Sequence, residues 1–263
     1  MKTTLARNNM PSTKTSRPYV MSIAGFDPSA GAGLLADIKC FEQHEVYGFG
    51  ICSALTVQTD AAFLKNNWLN ASQIIDQLAP LLFRFDLSAV KIGLIKDIAV
   101  LLEVVAYLKK YQPEISIVID PVLKASAGYE FHDWENGLKK LLPVLEQIDL
   151  ITPNYPEMLT LGGKDSAFTT AASWSEHCPV LLKGGHLEVN RGTDFLFIAG
   201  EVQELKPSAE KVYQKHGSGC VLSASITAHL AKGKTLPEAC ISAKKYTENF
   251  LNSNETLLGY HKL

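Results

Sequence analysis

Tyr19-Val-Met-Ser-Ile-Ala-Gly-Phe-Asp-Pro-Ser-Ala-Gly-Ala-Gly33 decides the fold, together with the run that follows it, Leu34-Leu-Ala-Asp-Ile-Lys-Cys-Phe-Glu-Gln-His44. Residues 19–24 form a short apolar run of strand length. Residues 25–33 are a glycine-rich turn. Leu34, Leu35, Ile38 and Phe41 then fall on one face at helical spacing. Strand, tight turn and helix in that order are the repeating unit of a parallel sheet.

The same alternation runs outward through the chain. Strands are expected at 49–57, 89–92, 115–119, 149–152 and 180–183, with a hairpin of 195–198 and 202–205 around Ala199-Gly200. Helices are expected from a cap at Asn70 or Ser72 to about Phe83, over 97–111, near 135–142, from about Pro156, over 166–177 and over 221–230. Thr235-Leu-Pro-Glu238 has capping-box spacing and opens a last helix to about Leu251. The expectation is a mostly parallel central sheet with helices on both faces, a three-layer α/β/α sandwich in one domain, 19–263. No fixed-period repeat or linker interrupts the pattern.

Composition narrows the function classes. The chain has 263 residues, 46% of hydrophobic type, and a formal net charge of −2. That balance gives no support for a nucleic-acid surface, and no stretch approaches a membrane span. The five cysteines (Cys40, Cys52, Cys178, Cys220, Cys240) lack any Cys-x-x-Cys spacing. They argue against a disulfide scaffold or zinc site and suit a reducing cytoplasm. Residues 1–18 are basic, free of acids and without an apolar core, so a frayed tail is expected rather than a secretory signal.

In sheets of this kind the ligand sits beyond the carboxyl ends of the strands. Asp27, Gln58, Lys91-Ile-Gly93, Asp120, Asn154-Tyr-Pro-Glu157, Lys183-Gly-Gly-His186 and Gly217–Cys220 all fall at or just past an expected strand, or between a strand and the next helix. His216-Gly217-Ser218-Gly219-Cys220 leads directly into the small-residue run 221–230. Glycines at a helix start leave the backbone bare, and the first amides point at whatever anion sits there. A cysteine at that position is also easily ionised. The same residues equally suit a tight loop before a core helix with a small buried thiol. Asn154 and Glu157 can be read as a magnesium-associated pair or as a helix cap with an acid in its first turn. His186 and His216 read as loop histidines or as lining of a nucleotide edge, and no second ligand is spaced to make either a metal site.

No P-loop, nucleophile elbow or His-Glu-x-x-His is present, and Gly31-Ala-Gly33 lacks the acid of a dinucleotide fingerprint. An anion hole, a lysine and several carboxylates are a kit for phosphoryl transfer, which is mostly positioning and charge neutralisation.

The motifs resemble those of a known family. Residues 20–33 with Ala36-Asp37 and Tyr47-Gly48, then Leu55-Thr-Val-Gln58, Val90-Lys-Ile-Gly93, Ile119-Asp-Pro-Val122 and Ser126-Ala-Gly128 carry the likeness. Thr152-Pro-Asn-Tyr-Pro-Glu157, Leu182-Lys-Gly-Gly-His186 and His216-Gly-Ser-Gly-Cys220 complete it. The chain is similar to the bacterial hydroxymethylpyrimidine/phosphomethylpyrimidine kinases of thiamine synthesis, within the ribokinase-like superfamily, from about Tyr19 to Phe250. The resemblance implies ATP-dependent phosphorylation of 4-amino-5-hydroxymethyl-2-methylpyrimidine and then of its monophosphate, with Mg²⁺, in a cytoplasmic homodimer. It implies that Gln58, Asp37, Gly25, Leu94 and Val122 lie on the substrate side, with Gln58 reading the pyrimidine. It places Lys183, Asn154 and Glu157 on the nucleotide. Asp120 and Glu157 are the expected holders of Mg²⁺, through phosphate and water. By the same resemblance Gly217, Ser218 and Gly219 match the anion hole, and Cys220 matches the residue that takes the hydroxymethyl proton, its thiolate expected to be favoured by the helix start. Ser218 stands where the family usually has threonine, Leu94 where methionine is frequent, and Ala30 where glycine is frequent. Thr59-Asp60 departs from a common Asn-Thr. The alternatives are a pyridoxal kinase of the same superfamily, whose substrate is also a flat ring with a hydroxymethyl group, and a non-catalytic ligand-binding protein on this fold.

Overall fold

The computed structural model describes residues 16–124, 131, 137–163 and 165–262. The expected tail up to residue 15, the start of the 135–142 helix and Ser126-Ala-Gly128 lie outside the described residues. Nine strands form one sheet: β1 (Tyr19–Phe26), β2 (Tyr47–Gln58), β3 (Phe63–Trp68), β4 (Ala89–Ile92), β5 (Ser116–Ile119), β6 (Leu150–Ile151), β7 (Val180–Leu182), β8 (Asp194–Ile198) and β9 (Glu201–Leu205). The helices are α1 (Gly33–Gln43), α2 (Ala71–Arg84), α3 (Ile98–Tyr111), α4 (Gly137–Leu145), α5 (Tyr155–Gly162), α6 (Ala167–Trp174), α7 (Ser218–Ala231) and α8 (Leu236–Leu251).

The strand order is β3-β2-β1-β4-β5-β6-β7-β8-β9. The six strands from β2 to β7 are parallel. Antiparallel strands close both edges: β3 on one side, the β8–β9 hairpin on the other. The hairpin falls where expected. β3 is an element the sequence pattern did not reveal. Its residues, Phe63-Leu-Lys-Asn-Asn-Trp68, mix three apolar with three polar side chains and none is buried; the lysine and the short length suit an edge strand that must not recruit further strands.

The period-2 alternation of the strands divides the core between two faces. Met21, Ile23, Ile92, Ile117 and Ile119 pack against α2 to α6. Val20, Ala89, Val118, Leu150 and Leu181 face α1, α7 and α8. α7 is built of small and apolar residues and is buried all round from Val221 to Ala228, because it lies sandwiched between β1, β4 and β5 below and α1 and α8 beside it; its Ser223, Ser225 and Thr227 hydroxyls are all hydrogen-bonded. Gly233, in the left-handed conformation at φ +80°, ends the last turn. Local signals set most other helix starts. Asn70 and Gln73 form a reciprocal capping box, as do Asn154 and Glu157, while Asp97 and Ser166 cap α3 and α6.

Sequence order reverses between β1 and β4, since β2 lies on one side of β1 and β4 on the other. A crevice opens at such a switch point beyond the carboxyl ends of the strands. The loop 27–32, the end of β4 and the start of α7 all meet there.

The opposite end of α7 carries a group of imidazoles. The His44 ring lies 4.7 Å from that of His229 and 4.4 Å from that of Tyr246. His44 shares a hydrogen bond with Ser225 Oγ at 2.8 Å, and Tyr246 one with His261 at 3.0 Å. Burial, then neighbouring positive charge, pushes His44 down to about 3 and His229 and His261 to about 4. The charges are those of His229, Lys232, Lys234 and His261 around His44, of Lys232 and Lys234 around His229, and of Lys39 near His261. An unfolded histidine titrates near 6.5. The unfolded chain therefore binds more protons than the folded one between about pH 6.5 and 4, and the stability present above 6.5 is lost as pH falls through that window. Thermal unfolding should show Tm falling from pH 7 to pH 4.5, with a shallower fall in His229→Phe, which keeps the ring contact and removes one proton site. A Tm curve of unchanged slope in that variant would show that the cluster does not set the acid limit.

Candidate active site

The site begins where two stretches of bare backbone touch. Gly217, the N-cap of α7, has φ +77°, and a Cβ there would lie 2.2 Å from the Gly31 carbonyl and 2.7 Å from Ala32 Cα. Only glycine admits that approach. A buried acid pins both stretches. Asp27 accepts from the Ser29 amide (2.9 Å), the Ser29 hydroxyl (2.8 Å), the Ala32 amide (2.9 Å) and the His216 imidazole (3.0 Å). Burial opposes its charge, but His216 and the Ser29 and Ala32 donors outweigh that and hold the carboxyl below its usual range. His216 is thus a loop histidine bonded to a carboxylate. Ala30 has φ +56°, a conformation glycine takes freely and other residues at a cost.

With the loop seated, the first turn of α7 lies open to the crevice. Ser218, Gly219 and Cys220 are half-buried, unlike the fully buried turns that follow. A Cβ on Gly219 would lie 3.2 Å from Lys183 Nζ and 3.8 Å from Asp120 Oδ2. Lys183, just past β7, donates to Asp120 Oδ1 at 2.7 Å and lies 4.0 Å from Glu157 Oε2. Its backbone pairs with that of Asn154. The bare backbone, the lysine and both acids therefore share one place.

Charges in this cluster set one another. Burial opposes ionisation of Asp120, but Lys183, Lys91 and a hydrogen bond from Ser223 hold it below the usual range. Lys183 stays charged despite burial because Asp120 and Glu157 face it. Glu157 is pushed up to about 7 by burial and by Asp120, against the pull of Lys183. Asn154 is committed to the cap: its Oδ1 accepts the Glu157 amide at 2.8 Å, and Glu157 Oε2 accepts the Asn154 amide at 2.7 Å. The cap reading holds for Asn154, and Glu157 is cap and cluster member at once.

Two expectations are corrected. Asp37, placed on the substrate side, lies beneath the crevice with no exposed surface. Both its oxygens take Lys91 Nζ, at 2.6 and 2.7 Å, and Ser22 donates to it at 2.5 Å, so it offers nothing to a ligand directly. Cys220 was expected to be ionised by the helix start. Burial instead raises its thiol, aided by the charges of Asp37 and Asp120, while Lys91 and the Gly33 amide pull the other way and lose. The sequence places Asp27 and Lys91 at strand ends facing the crevice without giving either a role, and it gives none to Ser22, Ser223 or Thr152. Thr152 and Ser223 donate to Asp120 at 3.3 Å each.

Gly25, Leu94 and Gln58 meet around Thr56, while Val122 lies beside Asp120. A Cβ on Gly25 would lie 2.9 Å from Leu94 and 3.5 Å from Thr56. Gln58 Nε2 donates to Thr56 Oγ1 at 3.0 Å, which leaves the amide oxygen and one N–H without a partner in that bond. Val122 follows Asp120 and donates its amide to the Asp120 carbonyl at 2.9 Å. Gly33, packed on the Gly25 carbonyl, joins this group to Cys220. His186 is exposed.

Among the described residues, no three His, Cys, Asp or Glu side chains gather into a metal site. Two carboxylates beside one ammonium suit Mg²⁺ delivered on nucleotide phosphates, with waters completing its shell.

Comparisons with known proteins give the family and the fold. Residues 27–262 match the family model described as phosphomethylpyrimidine kinase. The Aquifex aeolicus hydroxymethylpyrimidine/phosphomethylpyrimidine kinase is 34% identical over 253 residues, covering 91% of this chain and 97% of its own. The crystal structure of phosphomethylpyrimidine kinase from Clostridium difficile is similar with TM-score 0.73 and 29% identity, covering 88% of this chain and 98% of that one. The Staphylococcus aureus pyridoxal kinase in complex with ADP shares the fold with TM-score 0.79 and 24% identity, covering 91% and 89%.

Two outcomes follow from the geometry. Gly217→Ala, which forces the two backbones apart, should lower turnover by about 100-fold, the order seen when one preorganised backbone donor is lost; wild-type kinetics would show that the contact is dispensable. Peptide mapping after iodoacetamide treatment should find Cys220 slow to alkylate at pH 7 and faster only above the free-thiol range near 8.5. Rapid labelling at pH 7 would contradict a raised thiol.

Proposed function

The chain belongs to the phosphomethylpyrimidine kinase family, and on that premise we propose that it phosphorylates 4-amino-5-hydroxymethyl-2-methylpyrimidine and its monophosphate with ATP. The observation that carries this reading is the meeting of Gly219, Lys183 and Asp120, where backbone amides and a cation face one space. Such a place suits a phosphoryl group in transit.

In this reading the alcohol lies along the wall of Gly25, Thr56 and Leu94, with Gln58 donating to and accepting from the aminopyrimidine edge. The γ-phosphoryl sits over the amides of residues 217–220. Lys183 offsets its charge. The bond from the hydroxymethyl oxygen to phosphorus forms as the bond to the β-phosphate oxygen breaks, and ADP leaves with that electron pair. The hydroxyl proton passes to Cys220 Sγ when the thiol is ionised. Lys91 sits below as the buried cation that favours that ionised form. Asp120 and Glu157 would hold Mg²⁺ through phosphate and water, and the ion would supply further neutralisation of the phosphates. Leu55, Val57 and Leu64 remain exposed on the β2–β3 ribbon, which supports a second copy of the chain covering it as a homodimer. No described helix is long and apolar enough to cross a membrane.

ADP release should be measured with hydroxymethylpyrimidine, its monophosphate and pyridoxal side by side. The expected result is turnover of the first two with the highest kcat/KM; exclusive turnover of pyridoxal would assign the chain to that substrate, and release with none would leave a binding protein. Cys220→Ser should keep KM and lower kcat by about 100-fold or more, the contribution of a positioned proton acceptor. Wild-type kcat should rise with pH above neutrality, because the resting thiol is raised. An unchanged kcat in the serine variant would remove Cys220 from that role.

A further inference from the structure

Helix α8 contributes no group to the site, and its apolar face is already complete with Ala239, Cys240, Ala243, Tyr246 and Phe250. Yet two charged side chains one turn apart on it, Lys244 (side chain 11% exposed) and the buried Glu248, each hold a different loop.

Lys244 Nζ donates to the Gly192 carbonyl at 2.5 Å and to Asp194 Oδ2 at 2.8 Å. The other oxygen of Asp194 accepts the amide of Gly184 at 2.9 Å. Gly184 directly follows Lys183. Its carbonyl accepts from Leu187 and Gly192 at 3.1 and 3.0 Å, and a Cβ on it would lie 1.7 Å from the Thr193 carbonyl. The segment 184–193 is therefore a loop closed at its base, and Lys244 ties that base to α8 through Gly192 and Asp194.

Glu248 holds the second loop. Its Oε2 accepts the amides of Ser208 and Ala209 at 3.1 and 3.2 Å, its Oε1 accepts the Ser208 amide at 3.2 Å, and the Ser208 hydroxyl donates to it as well. Ser208 opens the segment that runs to His216-Gly217. Lys244 and Glu248 themselves lie 4.0 Å apart. Asp194 is 6% and Glu248 7% exposed. Buried charges persist where they are paired and bonded, and replacing them with apolar groups often costs nothing in stability. Fastening α8 to the sheet does not require them; fixing two loops at one separation does.

We propose that Lys244 and Glu248 are positioning residues that clamp the loop after Lys183 and the segment before Gly217 to one rigid helix, so that the cation and the bare amides meet the same nucleotide phosphates. This rests on the reading that Lys183 and residues 217–220 hold phosphate. An error of one ångström in such a pair is enough to lose about 100-fold in rate.

The test measures ADP affinity by calorimetry, without any alcohol, on variants whose fold is verified by circular dichroism. Lys244→Met and Glu248→Ala should weaken ADP about 10-fold or more and lower kcat/KM for ATP while KM for the alcohol holds. Lys244→Arg, which keeps the charge and the donors, should recover most of the loss. Asp194→Asn, which keeps an acceptor for Gly184 but no charge for Lys244, should fall between; it also reads the clamp if Lys244→Met fails to fold. Variants with lowered Tm but wild-type ADP affinity and ATP KM would overturn the proposal and leave a structural pair. Wild-type protein that binds no ADP would overturn the phosphate reading first, and the clamp with it.

Discussion

Everything at this site depends on two backbones being able to touch. Gly217 lies against Gly31 and Ala32 at a distance no side chain permits, and Asp27 fastens the contact from below. The contact aims α7. Its buried length is held by β1, β4 and β5, so only its first turn is free to project, and the glycine contact sets where that turn points. The consequence is that amides 218–220 face the switch point of the sheet, where parallel strands end and helix starts converge. A side chain at either loop would tilt the helix start away from Lys183, and the bare backbone of Gly219 would lose its neighbouring cation.

The second constraint is electrical. Lys91 and Lys183 stand among Asp37, Asp120 and Glu157 with little water to screen them. Three acids face two lysines, and burial together with the charge of Asp120 pushes Glu157 up to about 7 against the pull of Lys183. A cation arriving on a nucleotide would favour the ionised acid, while a bare phosphate would be repelled by it. The cluster thus suits a phosphate that brings its own divalent ion more than a free anion. Burial strengthens every one of these interactions, which is why a few charges suffice.

How much of this was legible in the sequence follows from how local each cause is. Helix starts were readable because caps are local: Asn70, Asp97, Ser166 and Thr235 sit where side-chain acceptors precede apolar spacing. The hairpin around Ala199-Gly200 was readable for the same reason. β3 was not, because an edge strand is defined by its partner, and Leu-Lys-Asn-Asn carries no alternation of its own. In the site, the glycines and Lys183 announced themselves by position. Asp37 did not announce its burial. The signal that could have found its partner was present: Lys91 lies inside the otherwise apolar strand Ala89-Val-Lys-Ile92, and a lysine with no exposed surface must have a carboxylate. Asp37, on the inner face of α1, is that carboxylate. The environment of Cys220 was beyond sequence reasoning, since the helix start argues for a thiolate and only the packed structure shows burial prevailing.

That last point bears on how the site would work. Cys220 sits between opposed influences: Lys91 and the Gly33 amide favour the thiolate, while burial, Asp37 and Asp120 oppose it. Because Lys91 is locked to Asp37 by two contacts, its charge is partly cancelled as seen from the sulfur. The pair behaves as a dipole whose positive end is fixed, and it moderates the thiol rather than ionising it. A strongly ionised sulfur would add one more negative charge beside an incoming phosphate, in a cluster that already has a surplus. A thiol that is ionised only in part limits that repulsion, while the fraction present as thiolate can still take the hydroxyl proton. It also fits a reaction in which positioning carries most of the rate and the proton leaves late.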